Sequence, residues 1–287
     1  MPHIESSNTG PQQFRSLNRG LSILKLFTAE TPQLSAPEIV GRVAMHKTTA
    51  YRMLAALADQ GFLARNEMTG KYSIGPLMYL LGSLYQQSDS LQVAAAPVVA
   101  LLSDLTGEAC SLAILSEDVV VHVLLGETCH EVGWDRFIGM TLPAHTCALG
   151  KSLLSALTED EIDRRYPEEI LRSRTPNTVS TRSALKAELA QVRESGVAID
   201  DEGCVPGVAG RGSPVLDHQG NTVAAFSVSV PVFRFPTSLR PLYASAARLS
   251  AQLISYRLGF RSPETSITSL EQLQSWWLKA KTEHVSG

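Results

Sequence analysis

Apolar residues recur at helical spacing from Ser16 onward. Leu17, Leu21, Leu24 and Phe27 make one stripe. Glu30-Thr31-Pro32 ends it. Ser35-Ala36-Pro37-Glu38 has the form of a capping box, in which the Ser35 hydroxyl caps a second helix and Glu38 reaches back. Proline is tolerated in that first turn. A third helix is predicted over Lys47–Gln60, with Ala50, Met53, Leu54 and Leu57 on its inner face. The pattern then switches to short strands. Phe62–Arg65 and Lys71–Ile74, joined by a turn at Asn66–Gly70, predict a β-hairpin. Three helices and a hairpin are the parts of a winged helix-turn-helix over 15–75, preceded by a polar tail over 1–14.

Leu77, Leu80, Leu81 and Leu84 follow at i, i+3, i+4 and i+7, and Ser88-Asp89-Ser90 breaks the run. The stripe over 76–90 has two readings, ordinary core and a seam for self-association. A further helix carries Leu91, Ala94, Ala95, Val98, Leu101, Leu102 and Leu105, with Gly107 beyond its end. Strands are predicted at Cys110–Leu115, Val119–Leu125, Val197–Ile199, Ser213–Leu216 and Val223–Val230. Helices are predicted at Ala148–Leu157, Ser183–Ser195 and Leu239–Leu258. An antiparallel sheet flanked by helices, an α+β domain over 91–261, is the natural reading. Beyond it, 262–287 form an extension. Thr268–Glu271 has capping-box form, and Leu270, Leu273, Trp277 and Trp276 share a helical side. Two tryptophans need cover, either from the chain's own body or from another subunit.

The 287 residues are enough for about two domains. At 44% hydrophobic and 18% charged residues, global disorder is excluded. No run reaches the ~20 apolar residues of a membrane span, and the N-terminus has no signal-peptide core, so a cytoplasmic protein is expected. Four scattered cysteines fit reduced thiols rather than a disulfide scaffold. The net charge of −3 conceals a division. Residues 1–75 carry eight Lys or Arg against five Asp or Glu, whereas residues 76–287 carry 17 against 23. A mildly basic head precedes an acidic body.

In the head, the third helix turns Lys47, Thr48, Tyr51 and Arg52 outward, with Thr49 near the edge. A helix entering the major groove contacts bases with its N-terminal residues, and Lys and Arg also meet phosphates. The alternative is a merely solvated polar face. Here the sequence resembles a known family. SLNRGLSILKLF and LSAPEIVGRVAMHKTTAYRMLAALADQGFLARNEMTGKYSIG are similar to the DNA-binding domain of the IclR family of bacterial transcriptional regulators. Lys47, Thr48, Thr49, Arg52, Leu54, Leu57, Gly61, Phe62, Tyr72 and Gly75 match its pattern, with Met53 where leucine is usual. The DNA-contacting set expected is Arg19, Ser35, Lys47, Thr48, Thr49, Tyr51, Arg52 and Lys71. The resemblance also implies that the 77–87 helix takes part in dimerisation.

Two further stretches resemble that family's GAF-like effector-binding domain. They are Gly139–Leu154, containing Leu142-Pro143-Ala144-His145-Thr146 and Leu149-Gly150-Lys151, and Gly196–Pro214. The resemblance implies that they line an effector pocket, for which Leu142, His145, Thr146, Leu149, Gly150, Asp200, Gly210, Arg211, Ser227 and Ser229 are the expected residues. Leu149-Gly150-Lys151 would open a helix whose free N–H groups favour an anion. The chain departs from the family at Gly203, where glutamate is usual, at Gly210, where cysteine is frequent, and at Arg211, where an apolar residue is usual. Arg211 either clamps an effector carboxylate or pairs with Asp200, Asp201 or Glu202. The clamp reading predicts an organic acid as effector.

Catalytic signals are weak. Gly150-Lys151-Ser152 lacks the earlier glycine of a P-loop, since His145 stands there. His122, His130 and His145 with Cys129, Cys147 and Cys204 lack the paired spacing of metal ligands. Gly210-Arg211-Gly212-Ser213-Pro214 is not a nucleophile elbow. The expectation is a non-enzymatic regulator without cofactor, metal or membrane partner. It would bind pseudo-palindromic double-stranded operator DNA as a homodimer or homotetramer and control a catabolic operon. The competing class is a small-molecule enzyme carrying an accessory winged helix.

Overall fold

The structure is a computed structural model that describes residues 15–28, 30–88, 90–130 and 136–285. The expected tail over 1–14, Asp89 and the side chain of Leu84 lie outside the described residues. The chain divides into two compact units between residues 89 and 90. Among the described residues no helix is long and apolar enough to cross a membrane.

The first unit contains α1 (Arg15–Leu24), α2 (Ala36–Arg42), α3 (Lys47–Asp59), the hairpin β1 (Leu63–Arg65) and β2 (Tyr72–Ile74), and α4 (Pro76–Ser88). Ser35 and Glu38 form the reciprocal cap at the start of α2. Leu34 bridges Tyr72 and ties the α2 entrance to the wing. Ile23, Leu34, Ile39, Leu54, Leu63 and Tyr72 are the core. The stripe expected on α1 is displaced. Leu17 is 57% and Leu21 45% exposed, while Ile23 is fully buried. Leu24 and Phe27 are only partly covered. Packing against α3 selects the Ile23 side, which the 3.6-residue spacing alone leaves ambiguous.

The second unit is a six-stranded antiparallel sheet with helices on both faces, a GAF-like α+β arrangement. The strands are β3 (Ala109–Ser116), β4 (Val119–Leu125), β5 (Thr141–Pro143), β6 (Ala198–Asp201), β7 (Val208–Leu216) and β8 (Thr222–Pro231), in the order β5-β4-β3-β8-β7-β6. One face carries α5 (Ser90–Thr106), α9 (Arg240–Arg257) and α10 (Leu270–Val285). The other carries α6 (Ala148–Leu154), α7 (Glu159–Arg165) and α8 (Arg182–Ser195).

Sequence reading missed β5, α7 and the first half of β7. α7 has a legible signal in the Thr158–Glu161 capping box. β7 is hidden by Gly210, Gly212 and Pro214, which read against a strand. Gly212 is required because a Cβ there would stand 2.8 Å from the Ala148 carbonyl oxygen. Pro214 is tolerated because β6 pairs only as far as Gly212, so the missing N–H faces no partner strand. In α10, Leu273 and Trp277 are buried against this unit's own α5 and α9, with Trp276 partly covered. The own-body reading of the extension therefore holds for these side chains. Its cap is one residue later than expected. Ser269 Oγ accepts the Gln272 N–H, and Gln272 Oε1 accepts from Thr268.

Candidate functional site

In the first unit, α3 presents Lys47, Thr48, Tyr51 and Arg52 to solvent, with Thr49 half-buried. Lys47 Nζ lies 5.9 Å from the Tyr51 ring centroid, which pre-positions both at the helix start. His46 caps α3 by accepting the Thr48 N–H on Nδ1 at 3.4 Å, a role that the sequence pattern did not reveal. Arg19 and the unexpected Arg42 line one groove of about 430 Å³ beside the α2–α3 turn. Lys71 is exposed on the wing, and Arg65 lies 5.9 Å from the Tyr72 ring. At the wing tip, Asn66 Oδ1 accepts the Met68 and Thr69 N–H groups. Gly70, at φ +68°, supplies the left-handed residue that the turn needs, and Met68 is 97% exposed. Ser35 differs from the rest of the expected set. Its hydroxyl is 2.6 Å from Glu38 Oε2, so it serves the cap beside a negative charge.

In the second unit, Leu142, Leu149, Asp200, Gly210, Ser227 and Ser229 line one cavity, as expected. It also takes His122, Cys147, Ala148, Cys204, Val205 and Val208. His122 was legible in principle, since β4 alternation puts it on the face of Ala113, its pairing partner. The cysteines converge only through tertiary folding. The hydrogen bond with Cys204, together with burial, holds the Cys147 thiol protonated, and Cys147 Sγ accepts the Gly150 N–H at 3.4 Å. The cavity holds about 20 Å³, little more than a water molecule occupies.

Four expected residues stand elsewhere. Arg211 is one residue along β7 from Gly210, so its side chain leaves the opposite face. It is 3% exposed, pairs with Asp201 Oδ1 at 2.9 Å and lies 5.3 Å from the Phe235 ring. The ion-pair reading of Arg211 replaces the clamp. His145 Nε2 is 3.0 Å from the Arg172 carbonyl oxygen, its ring packs edge-on against Tyr166, and burial lowers its pKa. Thr146 Oγ1 donates to the Pro143 carbonyl at 2.8 Å. Gly150 is packed against the backbone of Ala144, and its N–H is already taken by Cys147. One N–H group of the α6 start is thus taken by Cys147, while Ala148 and Leu149 of the same turn line the cavity.

Asp200 is the one carboxylate in the cavity. Its Oδ1 accepts the Gly203 N–H at 2.6 Å, yet burial raises its pKa to about 6. The folded chain therefore holds this proton more tightly than the unfolded chain, whose aspartate stays near 3.8. Stability is lost as pH rises from about 4 to about 6 and stays lost above. Asp200→Asn keeps the Oδ1 acceptor and removes the charge. It should be about 2–3 kcal/mol more stable than the parent above about pH 7, with the gain vanishing near pH 4. Urea titrations at the two pH values check this. An equal gain at both would refute the buried-charge account.

Among the described residues, no group of three or more His, Cys, Asp or Glu side chains is placed to hold a metal ion.

Comparison with known proteins agrees with both units. Residues 84–256 match the C-terminal domain of the bacterial transcriptional regulator IclR, and residues 16–67 match the IclR helix-turn-helix domain. The chain is 31% identical over 248 residues to the HTH-type transcriptional regulator BhcR of Paracoccus denitrificans, covering 86% of this chain and 88% of that protein. It shares the fold of the IclR transcriptional regulator of Alicyclobacillus acidocaldarius, at TM-score 0.75 and 23% identity, covering 85% and 98% of the two chains. The same holds for an IclR homolog from Microbacterium hydrocarbonoxydans in complex with 4-hydroxybenzoate, at TM-score 0.72, 22% identity and coverages of 85% and 98%. With a helix-turn-helix domain in front and an effector-type domain behind, both matched in register, this chain belongs to the IclR family of bacterial transcriptional regulators, and its work is regulatory rather than catalytic.

Proposed function

We propose that this regulator reads a pseudo-palindromic operator with the N-terminal face of α3 and senses a small organic molecule at a site that includes Asp200, Ser227 and Ser229. The observation that carries the first half is the outward Lys47-Thr48-Tyr51-Arg52 surface at the start of α3, flanked by the wing with Lys71 and by the Arg19–Arg42 groove. Thr49 adds an edge contact, and Ser35 is left out because of its cap. Phosphate contacts set position, and Arg52 and Thr48 reach bases. Residues 15–75 read DNA, 76–90 link and dimerise, 91–261 bind the effector, and 262–287 brace the effector domain. Tyr79 and Leu81 on α4, 79% and 46% exposed, support a self-association surface that would set two reading heads on two half-sites. The protein works in the cytoplasm on an operator of catabolic genes.

A relative solved with 4-hydroxybenzoate supports an effector of that size. By linkage, an effector that changes operator affinity by some factor must itself bind differently by the same factor when DNA is present.

Fluorescence anisotropy with the upstream intergenic DNA tests the reading. Arg52→Ala is expected to weaken specific binding about tenfold or more and to blunt the difference from random DNA. Lys71→Ala should weaken both alike and lower the salt slope. Unchanged affinity in both variants, or binding indifferent to salt, would remove α3 and the wing from the interface.

A further inference from the structure

The effector cavity around Asp200 is too small for an organic molecule, but it does not stand alone. Ser229 lines it and also lines a neighbouring cavity of about 330 Å³. That volume is in the range of small-ligand sites. The charged residues lining the second cavity are Arg136, Arg234, Glu108 and Glu127, and Glu127 makes no ion pair with Arg136. Arg234 is matched to Glu108, with Nε–Oε1 at 2.7 Å and Nη2–Oε2 at 2.9 Å. Arg136 is not matched to any acid among the described residues. Its Nη1 donates to the Cys110 carbonyl at 3.0 Å and to Ser111 Oγ at 2.9 Å, and its Nη2 to the Gly126 carbonyl at 3.1 Å. All three acceptors are neutral. A guanidinium has five N–H groups and stays charged at any working pH, so two donors and a whole charge remain. Burial already pulls the Arg136 pKa below the ordinary value. A half-buried, uncompensated cation costs free energy that a bound anion would return.

The strand register joins this cation to the effector cavity. Asp200 pairs with Gly210, Gly210 with Ser229 and Ser229 with Ala109. On the next alternate rung, Gly212 pairs with Ser227 and Ser227 with Ser111. Paired residues on neighbouring strands share a face. Ser111, which Arg136 holds, therefore faces the same side as Ser227, Ser229 and Asp200. One polar strip runs from a carboxylate on β6 to a guanidinium beyond β3.

We propose that Arg136 is the carboxylate-binding residue of an effector site made of both cavities, and that the effector is an organic acid with a hydrogen-bond donor at its far end, directed at Asp200. This rests on the effector reading above. Charge fixes the orientation, since an acid group repelled by Asp200 is attracted by Arg136. Asp200 and Ser111 stand three strands and two residues apart, about 16 Å between backbones, so glycolate-sized acids cannot touch both ends.

The test uses the full-length chain, isothermal calorimetry and a series of ω-hydroxy acids from glycolate to hydroxyoctanoate, each with its matching diol. The longer acids are expected to bind about tenfold or more tightly than their diols and than glycolate. Arg136→Gln should lower acid affinity about tenfold while diol affinity stays within about twofold, which also shows an intact site, and Arg136→Lys should recover part of the loss. Acids that bind no better than diols, no binding by either, or an Arg136→Gln variant that keeps full acid affinity overturns the proposal. If diol binding is weakened by Ser229→Ala but the acid ignores Arg136→Gln, the effector reading stands and only Arg136 falls. Binding of both ligands that ignores Ser229→Ala and Asp200→Asn removes the effector reading itself.

Discussion

Gly150→Ala is expected to cost the effector domain about 4 kcal/mol or more, enough to leave much of it unfolded at working temperature. A Cβ at Gly150 would stand 2.0 Å from the Ala144 carbonyl oxygen, 2.4 Å from its Cα and 2.5 Å from its carbonyl carbon. All three are backbone atoms of the short 3-10 turn Ala144–Thr146, so no side-chain rotation relieves the clash. Moving α6 away is blocked behind it, because β7 approaches closely enough that Gly212 has no room for a Cβ either. The helix is wedged between the turn and the sheet. Chemical denaturation followed by circular dichroism measures the loss. A variant with the parent's midpoint would mean that the turn gives way freely. Family resemblance places Gly150 among ligand-contacting positions, whereas the geometry assigns it a packing reason that holds with or without a ligand.

Trp277→Ala should cost about 3–5 kcal/mol. Trp277 is 1% exposed and its ring meets Tyr243 edge-on with centroids 5.4 Å apart. Leu273, one turn earlier, is fully buried in the same core. Truncation leaves a cavity where α5, α9 and α10 meet, and that core backs the sheet whose other face carries Asp200, Ser227 and Ser229. Trp277→Phe is the control. It keeps most of the apolar contact and removes an indole N–H that has no hydrogen-bond partner, so its cost should be well below that of alanine. Removal of residues 262–287 should destabilise the domain at least as much as Trp277→Ala. A stable truncated domain with unchanged effector binding would show that the extension is dispensable. Native mass measurement on the same variant reads whether it also alters assembly.

The reading head was legible because its signals are local. A capping box at Ser35–Glu38, an i, i+3, i+4, i+7 face on α3 and an Asn-to-Gly turn in the wing each act over a few residues. Misreadings there are of the α1 facing, of Ser35, whose hydroxyl serves its cap, and of the unseen His46 cap. Leu17 and Leu21 have helical spacing, but the α1 stripe that is buried is the one carrying Ile23, and only α3 decides that. In the effector domain, periodicity found four of the six strands and part of β7, and missed β5. Gly210, Gly212 and Pro214 look like loop residues until a helix is laid on them.

The chemistry of the sensing site divides the same way. The sequence by itself determined that a basic winged helix precedes an acidic α+β domain, because periodicity and charge are properties of neighbours along the chain; the resemblance nominated ten pocket residues, of which Leu142, Leu149, Asp200, Gly210, Ser227 and Ser229 share one cavity. Only the tertiary structure decided where the cations go. Arg211 and Gly210 are adjacent in sequence, but the strand's period of two sends their side chains to opposite faces. Arg211 thus pairs with Asp201, whereas Arg136, 75 residues away and carried by no motif, is brought to Ser111 beside the cavity. Which arginine is neutralised and which is left with its charge depends on sheet register, and register is a long-range outcome of packing that no local pattern records.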